Sequence, residues 1–302
     1  MSGAIGAERA TLSSRAALAS VGLATTLLLI KGYAAWKTDS TAMLGSLADT
    51  GLDLIASIFT LAGVRIAAIP ADEDHRFGHG KAEALVAMAQ VMLIAVSAVG
   101  IAWRAADRLV SGSATSDAEL GIGVSLFAMA LTVGLLAYQR RVIARTNSVA
   151  IKTDNVHYQS DLLLNAAVIA ALWLEQFWHL AGADAWFGLA IAAFLVFGAW
   201  QSSSHALDQL MDREWPDEKR AQLIALIQSH PEMAGIHDLR TRTSGGHDFI
   251  QFQISLEPLL SVAKAHDVMD EIEATIRADF PGADILIHPV PFGHPAVKEL
   301  TV

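Results

Sequence analysis

The chain reads as an α-helical membrane protein with six transmembrane helices, followed by a small C-terminal α+β domain of order αββαβ. Three observations predict this. Apolar residues make up 53% of the 302 and charged residues only 17%, against about 25% charged in soluble domains. Six segments reach the length of about 20 residues that a bilayer crossing needs. The charges are also unevenly spread: residues 1–211 carry 16 acidic and 13 basic side chains, whereas the shorter stretch 212–302 carries 15 and 8. The expected organisation is a membrane domain at 1–211, a water-exposed acidic domain at 212–288 and an irregular, proline-containing tail at 289–302.

The first crossing is predicted at Ala16 to Trp36, with Lys31 inside it, and the second at Ser40 to Val64, with Asp49 and Asp53 inside. The third, Ala84 to Trp103, the fourth, Leu120 to Gln139, and the sixth, Ala185 to Ser204, are each free of charge over 20 residues, about 30 Å at helical rise. The fifth, Val156 to Trp178, carries His157, Asp161 and Glu175. The first segment lacks the small-residue cleavage site of a signal peptide and precedes five more crossings. Lys and Arg prefer the cytoplasmic loops. Arg9 and Arg15, then Arg65, Arg76 and Lys81, then Arg140, Arg141, Arg145 and Lys152 outnumber Lys37, Arg104 and Arg108 on the other face, so both termini are predicted in the cytoplasm.

After Asp212 the pattern changes. Pro216 and the run Asp-Glu-Lys-Arg open an amphipathic helix that reaches Ile227. Two strand-like runs, Ile236 to Thr243 and Phe249 to Leu256, are joined as a hairpin through Ser244-Gly245-Gly246. A second helix, Ser261 to Phe280, is stopped by Pro281-Gly282, and Asp284 to His288 forms a last short strand.

Composition excludes several functions. There is no cysteine, so disulfide scaffolds, thiolate zinc sites and cysteine nucleophiles are out, and a metal must be held by His, Asp or Glu. A net charge of -10 without a basic stripe gives nucleic acid no footing.

The strongest chemical feature is Asp49 with Asp53 in an otherwise apolar crossing. Four residues apart, they share one helix face. An ionised carboxylate at mid-bilayer costs roughly 2.5–3.5 kcal/mol on the most lenient scale, so intramembrane acids are functional by default. The fifth crossing supplies a second pair at the same spacing, His157 and Asp161. Two helices with two donors each can close around one divalent cation, a set that suits zinc and also ferrous iron, manganese or cadmium. Ligation needs a neutral imidazole and ionised carboxylates, so loading the cation expels protons and rebinding protons expels the cation. A second cluster, Asp72, His75 and His79, lies in the loop after the second crossing, where it reads either as a metal site or as a solvated acidic loop. In the C-terminal domain His237, His266 and His288 fall on three separate elements, either converging on metal or unrelated.

On these residues the chain resembles the cation diffusion facilitators, and within them the bacterial iron/zinc efflux branch, over about Ser14 to His288. Asp49, Asp53, His157 and Asp161 match that family's intramembrane transport site, and Asp72, His75 and His79 match its loop site. Lys81 and Asp212 match the charge interlock that ties two protomers together in relatives. The resemblance implies a homodimer in the inner membrane that exports a divalent cation from the cytoplasm in exchange for protons, with zinc or iron as substrate and candidate regulator and no separate cofactor. It also implies a metallochaperone-like cytoplasmic domain whose binuclear metal site uses the positions of His237, His266 and His288. Two departures stand out: Gln253 replaces a second-strand His, and Val290 replaces an Asp two residues after the last-strand His.

Two other classes fit the same ligands. An intramembrane metal-dependent hydrolase needs an open coordination position and a nearby base. Here four ligands fill the shell, and Glu175 lies about 21 Å from Asp161 at helical rise. A membrane metal sensor is the other; metal uptake into vesicles separates the transporter from both.

Overall fold

The computed structural model describes residues 2–38, 41–111, 121–178, 183–232 and 235–293. Eight helices and three strands follow in the predicted order. The six long helices are α1 (Ser2–Thr38), α2 (Thr41–Ala67), α3 (Ala82–Ser111), α4 (Gly121–Thr146), α5 (Val149–Trp178) and α6 (Ala183–Leu210). The predicted start of the fourth crossing at Leu120, together with His179 and His294, lies outside the described residues.

Each long helix overruns its apolar segment, because a helix that leaves the bilayer still closes its backbone hydrogen bonds internally. Five of them, α1 to α4 and α6, contain a stretch long and apolar enough to cross a membrane. The sixth, α5, carries Lys152, Asp154, His157 and Asp161 in its first half and packs against α2, α3 and α4. Its polar residues are thus placed against protein instead of lipid, the usual setting of intramembrane ionisable groups. Helix contacts rest on small residues. A Cβ built on Gly198 of α6 would lie 2.7 Å from Val156 Cγ1 of α5, so only glycine allows this approach. Many large apolar side chains on these helices, Leu29, Phe59, Val96, Trp103 and Trp200 among them, are exposed, as a lipid-facing surface requires.

The molecule divides into two compact units, residues 10–207 and residues 208–302 with the first nine. The second unit holds α7 (Asp217–Gln228), β1 (Gly235–Ser244), β2 (His247–Leu256), α8 (Val262–Asp279) and β3 (Asp284–Pro291). Ser261 caps α8 by accepting the Lys264 N–H, which leaves one fewer orphan donor at that helix start. The strand order is β1-β2-β3, with β1 antiparallel and β3 parallel to β2. Ile250, Phe252, Ile254 and Leu256 of β2 join Leu223, Ile227, Val268, Ile272 and Ile276 of the helices in one core, so the helices cover one face of the sheet. Alternation along a strand then turns Gln251, Gln253 and Ser255 to the other face.

One expectation needs correcting. The last strand was expected to stop at His288, with an irregular tail from Pro289, yet β3 continues to Pro291. Pro289 and Pro291 pair with Ile254 and Leu256. The neighbouring Phe292 N–H points inward to Leu256 O at 2.8 Å, so the proline positions alternate outward, where a missing N–H leaves no ladder bond unmade. On β1 the register shifts between His237 and Arg240, where Asp238 adopts a φ of 45°, a bulge.

Candidate metal transport site

Helices α2 and α5 bring three of the four expected intramembrane ligands together. His157 Nε2 of α5 lies 3.0 Å from Asp53 Oδ1 of α2 and 3.7 Å from Asp161 Oδ2 one turn along its own helix. One ligand atom from each of the three falls within 4.8 Å of the others, and the 3.0 and 3.7 Å separations are ones a single cation can bridge at about 2.0–2.2 Å per bond. Asp49 stands outside that group, one turn earlier on α2, with an exposed side chain. Next to it, Thr50 Oγ1 accepts a 2.8 Å hydrogen bond from Lys31 Nζ of α1, so the cation inside the first crossing ends beside the acidic face of α2.

The floor of this site is a buried polar assembly that sequence reasoning missed. Asp154, three residues before His157 on the same face of α5, is fully buried. Its Oδ2 accepts from Ser20 Oγ of α1 and Gln139 Nε2 of α4, both at 2.7 Å. Its Oδ1 accepts from Gln90 Nε2 of α3 at 3.2 Å and lies 3.4 Å from Thr60 Oγ1 of α2. Tyr158 hydroxyl lies 2.9 Å from Ser57 Oγ of α2 and donates to Ser20 O at 3.2 Å. The missed signal was spacing: Asp154 precedes His157 by three and Asp161 by seven, but it falls just before the segment read as the fifth crossing. Glu83 was missed for the same reason. It is buried at the start of α3 and takes a 2.7 Å hydrogen bond from Ser148 Oγ, which places its carboxylate at the N-terminus of α5, where a negative charge is favoured.

The loop cluster is also brought together. Asp72, His75 and His79 each offer an atom within 4.8 Å of the others, and the two rings touch at a 44° tilt with centroids 4.4 Å apart. Asp72 Oδ1 accepts the His75 and Asp74 N–H groups at 2.6 and 3.1 Å, an Asx-type turn. The His75 N–H bond, with the charges of His79 and His75, holds the Asp72 carboxyl below the usual carboxylate range. His79 Nδ1 is buried without a hydrogen-bond partner.

The C-terminal histidines form no three-ligand group among the described residues. His237, Gln253 and His288 stand side by side in one row across β1, β2 and β3. His237 Nε2 is 2.8 Å from Ser255 Oγ, whereas His266 is exposed on α8 beside Asp270 at 3.6 Å. Asp212 Oδ1 accepts from Arg242 Nη1 at 3.0 Å, a pairing inside the chain that the sequence did not signal. Lys81 sits just before α3, its carbonyl accepting the Leu85 N–H at 3.1 Å.

A family model described as the cation efflux transmembrane domain matches residues 17–211. The chain belongs to the cation diffusion facilitator family. A second family model, the cytoplasmic domain of cation efflux proteins, matches residues 215–292. The cation-efflux pump FieF of Shigella flexneri serotype 5b is 42% identical over 281 residues, 93% of each chain. FieF of Escherichia coli O1:K1 / APEC is likewise 42% identical over 93% of each chain, and FieF of Salmonella typhimurium is 41% identical over the same share. A solved CzrB chain aligns at 31% identity over 26% of this chain and 99% of that one, with a TM-score of 0.25, too slight a likeness to bear on the fold. This facilitator is therefore an integral membrane cation efflux transporter.

Proposed function

We propose that this facilitator is a proton-coupled antiporter that exports divalent transition-metal cations, zinc or ferrous iron foremost and cadmium or manganese as further substrates, by alternating access. The observation that carries it is the convergence of Asp53, His157 and Asp161 from two helices within a helical domain of lipid-facing apolar side chains. Asp49, one turn away, completes the set when the helices rock. Zinc, ferrous iron and their neighbours take mixed nitrogen and oxygen ligands, which the FieF relatives' name as cation-efflux pumps supports without choosing among them. The ligands hold either metal or protons, so a more acidic outside discharges the cation and a midplane site alternates its access.

The protein works as a homodimer in the inner membrane, with both termini cytoplasmic. Lys81 and Asp212 form its charge interlock, and Asp72, His75 and His79 bind a second metal in the loop. Any metal held by His237, His266 and His288 is single and weakly bound, because Gln253 and Val290 stand where relatives have a His and an Asp.

The test is metal flux in proteoliposomes with an imposed pH gradient, offering zinc, ferrous iron, cadmium and manganese and reading luminal pH alongside. Metal moving against protons supports the antiporter, and the order of rates picks the substrate. Metal binding at the site without flux under any gradient would overturn it. For the dimer, Lys81→Ala is expected to weaken crosslinking between protomers; unchanged crosslinking removes the interlock.

A further inference from the structure

We propose that Asp154 is a positioning residue for the transport site, holding α5 at the height and rotation at which His157 and Asp161 meet Asp53. This rests on the reading of those three residues as the transport site and adds the group that sets their geometry.

A carboxylate buried among apolar helices is costly unless its oxygens are satisfied. The hydrogen-bond partners of Asp154 are neutral hydroxyl and amide groups, one from each of α1, α2, α3 and α4. That arrangement uses what a carboxylate has and an amide lacks, acceptor capacity on both oxygens. An asparagine there would turn its NH2 against the donors on one side. Gln139 is fixed in turn: its Nε2 also reaches Ser20 Oγ at 3.0 Å, and its Oε1 accepts from Asn155 Nδ2 at 2.9 Å. Gln90 Nε2 reaches Thr60 Oγ1 as well as Asp154.

The pairing of α2 with α5 shows why this concerns the metal ligands. Going up α2 from Thr60 to Ser57 to Asp53, the partners on α5 are Asp154, Tyr158, and then His157 with Asp161. The ligand pair is the last of three rungs, and Asp154 closes the first. A helix is stiff over two turns, so a shift at Asp154 carries to His157 and Asp161. Groups behind the ligands that orient them typically alter metal affinity about 10- to 100-fold when removed.

The test measures zinc uptake by the full-length protein in proteoliposomes at fixed pH, separating half-saturation from maximal rate. Asp154→Asn is expected to raise the half-saturating zinc concentration about tenfold with a maximal rate within about threefold. A paired variant, Asp154→Asn with Gln139→Glu, restores a carboxylate and an amide in exchanged places and is expected to recover most of the affinity. Gln90→Met, which removes one donor and keeps the volume, should raise half-saturation by about threefold. Unchanged half-saturation in Asp154→Asn, a loss of maximal rate alone, or no recovery in the paired variant would each overturn the inference. If Asp154→Asn fails to fold, Gln90→Met decides, and unchanged half-saturation there overturns it. Asp53→Ala is measured alongside. If it transports normally, the transport-site reading itself fails; if it is inactive while Asp154→Asn is normal, only the positioning role falls.

Discussion

Two clusters with the same kinds of donor, Asp53–His157–Asp161 and Asp72–His75–His79, are built in opposite ways. In the first, the donors come from α2 and α5 and their spacing is set by helix packing, with His157 only 14% exposed. In the second, eight consecutive residues supply everything, the turn is made by Asp72 itself, and His75 is 60% exposed. A site assembled from separate helices changes shape when the helices move, which is what a transporter needs of its cargo site. A site assembled within one loop keeps its shape through such motion, and suits holding a cation more than passing it on.

The largest effect should come from Asp53→Ala, which removes the only α2 donor in the first cluster and should abolish metal flux; near-normal flux would erase the distinction between the clusters. Gly198→Ala comes next. Its methyl would collide with Val156 and push α5 from α6, costing about 1–3 kcal/mol of stability and weakening zinc binding in the membrane while the loop cluster keeps its metal. Thermal melting and calorimetric titration in detergent read both. His79→Ala should remove one calorimetric zinc site per chain and leave flux close to wild type; a collapse of flux would make the loop part of the pathway. The smallest effect concerns pH. Because the Asp72 carboxyl is held below its ordinary range, chiefly by the His75 N–H, its turn contributes fully above that range. The contribution is lost only as pH falls through the lower folded value. Carboxyl titration by NMR should therefore find Asp72 protonating after most surface aspartates, whereas Asp72→Asn should loosen the loop at every pH.

Much of this was legible in the sequence because bilayer physics is strict: long uncharged runs have few fates, and paired acids inside them demand a reason. The i, i+4 pairs located the transport cluster, and the Asp-x-x-His-x-x-x-His spacing located the loop cluster. What escaped was what lies at the edges of the apolar runs. Asp154 and Glu83 sit just outside the segments that hydropathy marks, where a polar residue ordinarily faces water. Only the packing of five helices shows them buried. Asp49 shares its helix face with Asp53, but helical spacing fixes a face and not a distance, and one turn along α2 separates an exposed carboxylate from one that meets His157. Pro289 and Pro291 suggested a tail because proline breaks ladders; whether it breaks one depends on which side the missing N–H would have faced.

Those two prolines have a further consequence. A three-stranded sheet has two open borders, each able to recruit a strand from another molecule and begin uncontrolled aggregation. Along β3 the outward positions 289 and 291 have no N–H to offer, and along β1 the bulge at Asp238 bends the border away from a straight template. The end of one border and the start of the other are thus blunted against further pairing, which leaves copies of this domain crowded together at a membrane surface only short stretches on which a shared sheet could grow.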